Sequence, residues 1–184
     1  MLNSKKDIRN YIYNLREEMK IEDKEIWDRE IYNKLIAHKA YENAKTIFIY
    51  VSFKGEVDTH SIINKALSTG KKVCIPMVNK NKKIMEAYYI NSMEDLEEGY
   101  FGIMEPKEGC KKAENENIDL IISPGVAFDI EGGRIGYGGG FYDKFIASLK
   151  ENKPIIAFAY KFQILDKIIL EDRDKRVDEV ISNN

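Results

Sequence analysis

The run Ile118-Asp119-Leu120-Ile121-Ile122-Ser123 leads into Pro124-Gly125-Val126-Ala127-Phe128-Asp129. It is followed by Gly132-Gly133-Arg134-Ile135-Gly136-Tyr137-Gly138-Gly139-Gly140-Phe141-Tyr142-Asp143. The apolar run reads as a buried strand, and Phe141, Phe145, Ile146 and Leu149 mark a helix. A strand enters the glycines and a helix leaves them. Six glycines within nine residues are costly in backbone entropy, so they point to a special geometry. Their missing side chains let a ligand approach backbone N–H groups, and the next helix turns its positive end to the same place. That combination favours phosphate. The competing reading is a tight strand-to-helix turn with no ligand. Neither GxxxxGK[ST] nor GxGxxG is present, because the spacing is Gly136-x-Gly138-x-Gly140. Asp143 falls in the first turn of the predicted helix. It either complements the helix dipole or, beside a phosphate, acts as a magnesium ligand.

The same alternation extends to both sides. Thr46 to Phe53 is β-branched and aromatic, as in a strand buried on both faces. Asp58-Thr59 opens a helix carrying Ile62, Ile63, Ala66 and Leu67 and ending at Gly70. Lys72 to Met77 is a short strand, expected to stop at Pro76 and the polar run Asn79 to Lys83. That run reads as a hairpin turn into a strand over Ile84–Ile90. Asn91 to Asn117 reads mainly as loop. Pro154 to Tyr160 and Val177 to Ile181 are further strands. At the start, Ser4 is a plausible N-cap for a helix with Ile8, Ile12, Leu15 and Met19 on one stripe. Lys5, Arg9, Tyr13 and Arg16 line a second stripe beside it. A second helix is expected from about Lys24 to Lys39, burying Ile26, Trp27, Ile31, Leu35 and Ile36. No repeat, low-complexity tract or linker interrupts the chain. Residues 1–184 are expected to form one α/β domain with a mainly parallel sheet.

Composition narrows the function classes. The 184 residues include 29 Lys+Arg and 31 Asp+Glu, for a net charge of −2, with 43% hydrophobic residues. That length suits one core without disulfides or a structural metal. A balanced charge argues against a broad nucleic-acid surface. The polar start Leu2-Asn3-Ser4-Lys5-Lys6-Asp7 has no apolar signal core, and runs such as Ile47 to Val51 are too short to span a membrane. A cytoplasmic protein without nucleic-acid or membrane partners is expected. Cys74 and Cys110 lack CxxC spacing and read as reduced, buried thiols. His38 and His60 have no partner at metal spacing and read as helix-end or surface residues.

Phe128-Asp129 followed by Gly133-Arg134-Ile135-Gly136-Tyr137-Gly138-Gly139-Gly140-Phe141-Tyr142-Asp143 closely resembles the signature of the 5-formyltetrahydrofolate cyclo-ligase (5,10-methenyltetrahydrofolate synthetase) family. Lys5-x-x-x-Arg9 with Leu15-Arg16, Ser52-Phe53-x-x-Glu56-Val57-Asp58-Thr59, Gly102-Ile103-x-Glu105-Pro106 and Val177-Asp178-Glu179-Val180 match in place, so the likeness covers nearly the whole chain. The resemblance implies a three-layer α/β/α sandwich and an ATP-dependent ligase of folate and one-carbon metabolism. The implied reaction turns 5-formyltetrahydrofolate and ATP into 5,10-methenyltetrahydrofolate, ADP and phosphate. Phosphorylation of the formyl oxygen makes it a leaving group, and folate N10 closes the ring.

By the same resemblance, ATP would be held by Lys5, Arg9, Arg134, Ile135, Gly136, Tyr137, Gly138, Gly139, Gly140, Phe141 and Tyr142. Arg134 and Tyr142 would be catalytic. The folate would meet Val51, Glu56, Tyr137, Gly138, Gly139 and Gly140. Magnesium, the implied cofactor, would sit on Asp143 and Asp174, with Asp172 competing for the second place. A monomer is implied. Each residue also has a plainer role: a solvated basic stripe for Lys5 and Arg9, a surface carboxylate for Glu56, core filling for Phe141 and Tyr142, a solvated loop for Asp174. Tyr137 stands where some family members carry Arg. Two other functions fit the same fold. One is a non-catalytic module binding a phosphorylated metabolite or a protein. The other is an ATP-dependent enzyme for a related N-formyl or pterin compound.

Overall fold

The computed structural model describes residues 4–79, 81–99 and 102–184. Ser4 caps α1 (Lys5–Glu18), its side chain accepting from the Asp7 N–H, as its sequence position predicts. α2 (Ile21–Ile36) and the short α3 (Lys39–Asn43) follow. The main sheet is built from β1 (Thr46–Ile49), β2 (Lys72–Asn79), β3 (Ile84–Ile90), β6 (Leu120–Ser123), β9 (Ile155–Ala159) and β11 (Glu179–Ser182), in the order β11-β9-β6-β1-β2-β3. All its pairs are parallel except β2–β3. α4 (His60–Ser68) crosses from β1 to β2. β4 (Leu96–Glu98) and β5 (Met104–Pro106) form a small hairpin inside the segment read as loop.

Period-two alternation sorts the sheet's side chains into two layers. Ile47, Ile49, Ile122 and Phe158 face α2, α3 and α4, packing on Ile31, Leu35, Tyr41 and Ile63. Phe48, Ile121 and Ala157 face the other way, onto Phe145 of α5 (Phe141–Ala147). Helices on both faces of a mostly parallel sheet make an α/β/α sandwich, as expected. A second sheet, β10-β7-β8, joins β7 (Ala127–Asp129), β8 (Arg134–Ile135) and β10 (Ile164–Leu165). Ile8 and Ile12 of α1 bury against its Ala127 and Ile135. That contact sets the other stripe of α1 beside the glycines.

Several expectations need correction. The strand from Lys72 runs through Pro76, which pairs with Ala87, to Asn79. Beyond Cys74, β2 has only β3 as neighbour, and an edge accommodates proline's missing N–H. Lys80 of the expected hairpin turn lies outside the described residues. α2 begins earlier than expected and stops at Ile36. Ile26 is 46% exposed, because it is turned about 100° from Trp27, away from the Ile31–Leu35 stripe. α5 ends at Ala147, so Leu149 packs on the core from beyond the helix. Cys74 is buried and free, whereas Cys110 is only partly buried. As expected, both histidines sit at helix ends: His38 caps α3, and His60 opens α4. Among the described residues no helix is long and apolar enough to cross a membrane.

Candidate functional site

The strand order reverses direction between β1 and β6. From β1 the chain moves through α4 to β2, and from β6 it moves the other way, to β9. At such a switch point the loops leaving two adjacent strand ends separate and open a crevice, the preferred ligand position in open α/β sheets. The loop after β1 carries Glu56. The loop after β6 carries Pro124, Gly125 and, beyond the β7–β8 hairpin, the glycines. Both loops reach the crevice, and the Tyr137 hydroxyl donates to Glu56 Oε1 across it.

The Glu56 carboxylate is held at its other oxygen by the Phe53 N–H, at 2.8 Å. Burial pushes its carboxyl up from the usual range, against the Tyr137 and Phe53 hydrogen bonds and the charges of Arg16 and Lys24. Around it, burial and the Glu56 charge together push the Tyr137 and Tyr142 hydroxyls well up, so both stay neutral donors.

Two buried arginines staple the turn after β6. Arg134 Nη1 donates to the Pro124 carbonyl at 3.3 Å, and its Nη2 meets Asp143 Oδ1 at 2.6 Å. Arg16 Nη2 donates to the Gly125 carbonyl at 3.0 Å and Nη1 to the Tyr137 hydroxyl at 2.9 Å. Arg9 Nε donates to the Gly136 carbonyl at 2.7 Å. The glycines make room for these groups. A Cβ on Gly136 would lie 2.9 Å from an Arg134 nitrogen, and Gly138, at φ +101°, lies beside the Arg9 guanidinium.

Four buried side-chain polar atoms have no hydrogen-bond partner among the described residues, and three belong here: Arg16 Nε, Arg134 Nε and the Tyr142 hydroxyl. Buried polar groups are nearly always satisfied, so such a cluster calls for a partner from outside the chain. Tyr142 also lies under the Arg134 guanidinium, 5.9 Å from ring centroid to carbon, and 6.1 Å from Phe48.

The carboxylates facing Lys5 and Arg134 are already engaged. Lys5 Nζ is 2.6 Å from Asp174 Oδ2 and 2.9 Å from Glu171 Oε1. Asp143 also accepts from the Lys175 N–H at 3.0 Å. Asp143 and Asp174 both lie within electrostatic reach of Arg134, and Asp174, not Asp172, makes the contacts to α1. Hard carboxylate oxygens of this kind suit magnesium, which takes one or two of them with phosphate oxygens and water. Among the described residues no group of three or more His, Cys, Asp or Glu side chains could hold a metal.

The structure thus brings Lys5, Arg9, Glu56, Arg134, Tyr137, Gly136, Gly138, Tyr142, Asp143 and Asp174 to one end of the sheet. Other expected residues sit differently. Ile135 is buried against α1, and Val51 is buried in the main core. Phe141 packs against Gly139 and the core near Phe145. Reading the sequence missed Arg16, which looks like one more charge on a polar stripe. It also missed Asp129, whose buried carboxylate accepts from the N–H groups of Glu131, Gly133 and Ile168. Asp129 thereby shapes the entry to the glycines. Two surface clefts, of about 340 and 540 Å³, lie between β3 and α5 and against α2 and α4, away from the glycines.

A sequence model described as the 5-formyltetrahydrofolate cyclo-ligase family matches residues 1–183. The chain is 33% identical to a probable 5-formyltetrahydrofolate cyclo-ligase of Caenorhabditis elegans, over 96% of this chain and 91% of that protein. It is 34% identical to the 5-formyltetrahydrofolate cyclo-ligase of Mus musculus, over 80% of this chain and 78% of that one. The solved structure of Aquifex aeolicus 5,10-methenyltetrahydrofolate synthetase superimposes with a TM-score of 0.85 at 30% identity, covering 98% of this chain and 89% of that one. The fold is also shared with a Mycoplasma pneumoniae 5,10-methenyltetrahydrofolate synthetase, at a TM-score of 0.80 and 23% identity, over 98% of this chain and 99% of that one.

Proposed function

The chain belongs to the 5-formyltetrahydrofolate cyclo-ligase family, and on that premise we propose that it uses ATP to convert 5-formyltetrahydrofolate to 5,10-methenyltetrahydrofolate, releasing ADP and phosphate. The formyl oxygen is a poor leaving group. Transfer of the γ-phosphoryl group to it makes the carbon electrophilic, N10 attacks, the ring closes and phosphate departs. Such a reaction asks the protein mainly to neutralise phosphate charge, align the oxygen and exclude water.

In this reading Lys5, Arg9 and Arg134 hold the phosphates, with the backbone of residues 136–140 approaching closely. Ile135 and Phe141 support that loop from the core, and Val51 backs the loop that bears Glu56. Glu56 accepts from the polar edge of the pterin, using the lone pairs that Tyr137 and Phe53 leave free. Arg134 and Tyr142 face the transferring group. Asp143 and Asp174 would hold magnesium, which neutralises phosphate charge when bound. The observation that carries the reading is the pair of orphaned donors Arg134 Nε and Tyr142 Oη, gathered at the β1/β6 crevice. An anionic ligand with several acceptor oxygens is their natural complement.

The test is spectrophotometric. Purified protein is mixed with 5-formyltetrahydrofolate and magnesium, with and without ATP, at a pH where acid cyclisation is negligible. ATP-dependent growth of the near-ultraviolet methenyl absorbance is expected. Its absence from folded protein would sink the substrate assignment, and a nucleotide titration would then separate a different ligase from a binding module.

A further inference from the structure

Arg16 is the one cation of the α1 stripe that points into the pterin side of the crevice, and nothing in the proposed phosphate chemistry uses it. It sits two turns beyond Arg9 on the same stripe, only 9% exposed. Gly55 covers its stem, a Cβ there lying 3.5 Å from Arg16 Cβ. One terminal nitrogen, Nη2, donates to Gly125 O, in the loop after β6, and the other, Nη1, to Tyr137 Oη, which in turn donates to Glu56. A neutral hydroxyl that accepts from a guanidinium becomes a stronger donor to a carboxylate. The chain Arg16–Tyr137–Glu56 therefore points one way, from cation to anion, across the crevice.

We infer that Arg16 is a positioning residue for the pterin: through the Tyr137 hydroxyl it orients the Glu56 carboxylate and keeps it anionic, ready to accept from a ligand's paired N–H groups. This rests on the reading of Glu56 as the pterin's acceptor. The ionisable groups whose charge bears on Glu56 are Arg16 and Tyr13 of α1, Lys24 of α2, Tyr50 after β1, Tyr137 of the glycine loop and Tyr142 of α5. Only Arg16 and Lys24 among them are cations, and Lys24 is already paired with Asp28. Burial otherwise favours the protonated acid. A protonated Glu56 would present a donor toward the pterin donors and repel them.

The experiment uses the full chain with ¹³C-labelled glutamate carboxyls, the Glu56 signal being assigned with Glu56→Gln. Arg16→Gln and Tyr137→Phe are compared with the unaltered protein in two ways: the titration midpoint of Glu56 without ligands, and KM for each substrate. Both variants are expected to raise the midpoint by about one pH unit. They should raise KM for 5-formyltetrahydrofolate, the more so the lower the pH and up to about tenfold where the acid form of Glu56 dominates, while in Arg16→Gln KM for ATP stays within about twofold. Tyr137→Phe, half-exposed and free of Gly125, keeps the test sound if Arg16→Gln fails to fold. An unmoved Glu56 midpoint in folded variants overturns the proposal, and so does an equal loss for both substrates in Arg16→Gln. If the unaltered chain does not turn over 5-formyltetrahydrofolate, the substrate reading falls. The titration still decides whether Arg16 sets the state of Glu56.

Discussion

Lys5 Nζ lies 2.6 Å from Asp174 Oδ2, tying the first turn of the first helix to a loop 169 residues away. The pair has a counterpart in Arg134 and Asp143, also at 2.6 Å. In both pairs a proposed phosphate cation neutralises a proposed magnesium carboxylate. Binding a magnesium–nucleotide complex would exchange partners, the cations turning to phosphate oxygens and the carboxylates to the metal. The chain thus matches these charges within itself.

The exchange predicts a specific phenotype for Asp174→Asn. The magnesium concentration needed for half-maximal activity should rise about tenfold, as for loss of one hydrogen bond to a charged group. KM for the folate should not change. A stability effect accompanies it. Burial opposes the charge of Asp174, yet the Glu171 N–H and Lys5 hold its carboxyl below the usual range. A depressed folded value stabilises the protein above the ordinary Asp range, and that contribution is lost as pH falls through the folded value. Asp174→Asn should cost about 1 kcal/mol at neutral pH and converge with the unaltered protein in acid. Thermal melts across pH read the difference.

Asp143 carries structure as well as the proposed metal. Asp143→Ala would strand the buried Arg134 guanidinium and the Lys175 N–H. A partly exposed pair softens the penalty for a lone buried charge, leaving a cost of about 1–3 kcal/mol. Asp143→Asn keeps an acceptor and should cost less. Both should lose magnesium-dependent turnover. Urea unfolding beside the spectrophotometric assay separates the effects, and equal stability of the two variants would contradict the geometry.

Glu56→Gln should trade function for stability. Burial raises the folded carboxyl above its unfolded value, so ionised Glu56 costs stability at neutral pH. That cost is fully present above the folded value and disappears as pH falls below the unfolded one. The variant should melt at higher temperature than the unaltered protein at pH 8, with the gap closing toward pH 4. Equilibrium binding of 5-formyltetrahydrofolate should weaken by tenfold or more. A variant that binds the folate normally would remove Glu56 from the site.

The parts of this arrangement differ in how plainly the sequence announces them. Thr46–Ile49 and Leu120–Ser123 are β-branched or aliphatic on both faces, which only a strand covered by helices tolerates. Ile8 and Ile12 beside Lys5, Arg9, Tyr13 and Arg16 give α1 its two stripes directly. The β7–β8–β10 sheet was hidden, because strands of two or three residues are too short to show a period. Pro76 misled, because proline marks a strand end only when both edges are paired. Arg16 was hidden for another reason. A buried and a solvated cation look alike on a helical stripe, and its partners Gly125 and Tyr137 are 109 and 121 residues distant. The topology that turns the β1 and β6 loops toward each other had to be seen first.

Tyr142 supplies the sharpest check on the orphaned donors. Its hydroxyl is buried with no partner among the described residues, and its ring is fixed by Phe48 and Arg134. An unmet buried hydroxyl costs about 1–3 kcal/mol, so Tyr142→Phe should unfold at higher urea than the unaltered protein. If that hydroxyl meets the reacting group, the same change should lower kcat for methenyl formation by tenfold or more, with little effect on nucleotide binding. A gain in stability with undiminished kcat would make Tyr142 a packing residue whose strain serves nothing. A loss of stability would mean that the hydroxyl has a partner in the folded chain. Only the pairing of higher stability with lower kcat matches a donor kept waiting for substrate, because a group optimised for the fold would move both quantities in the same direction.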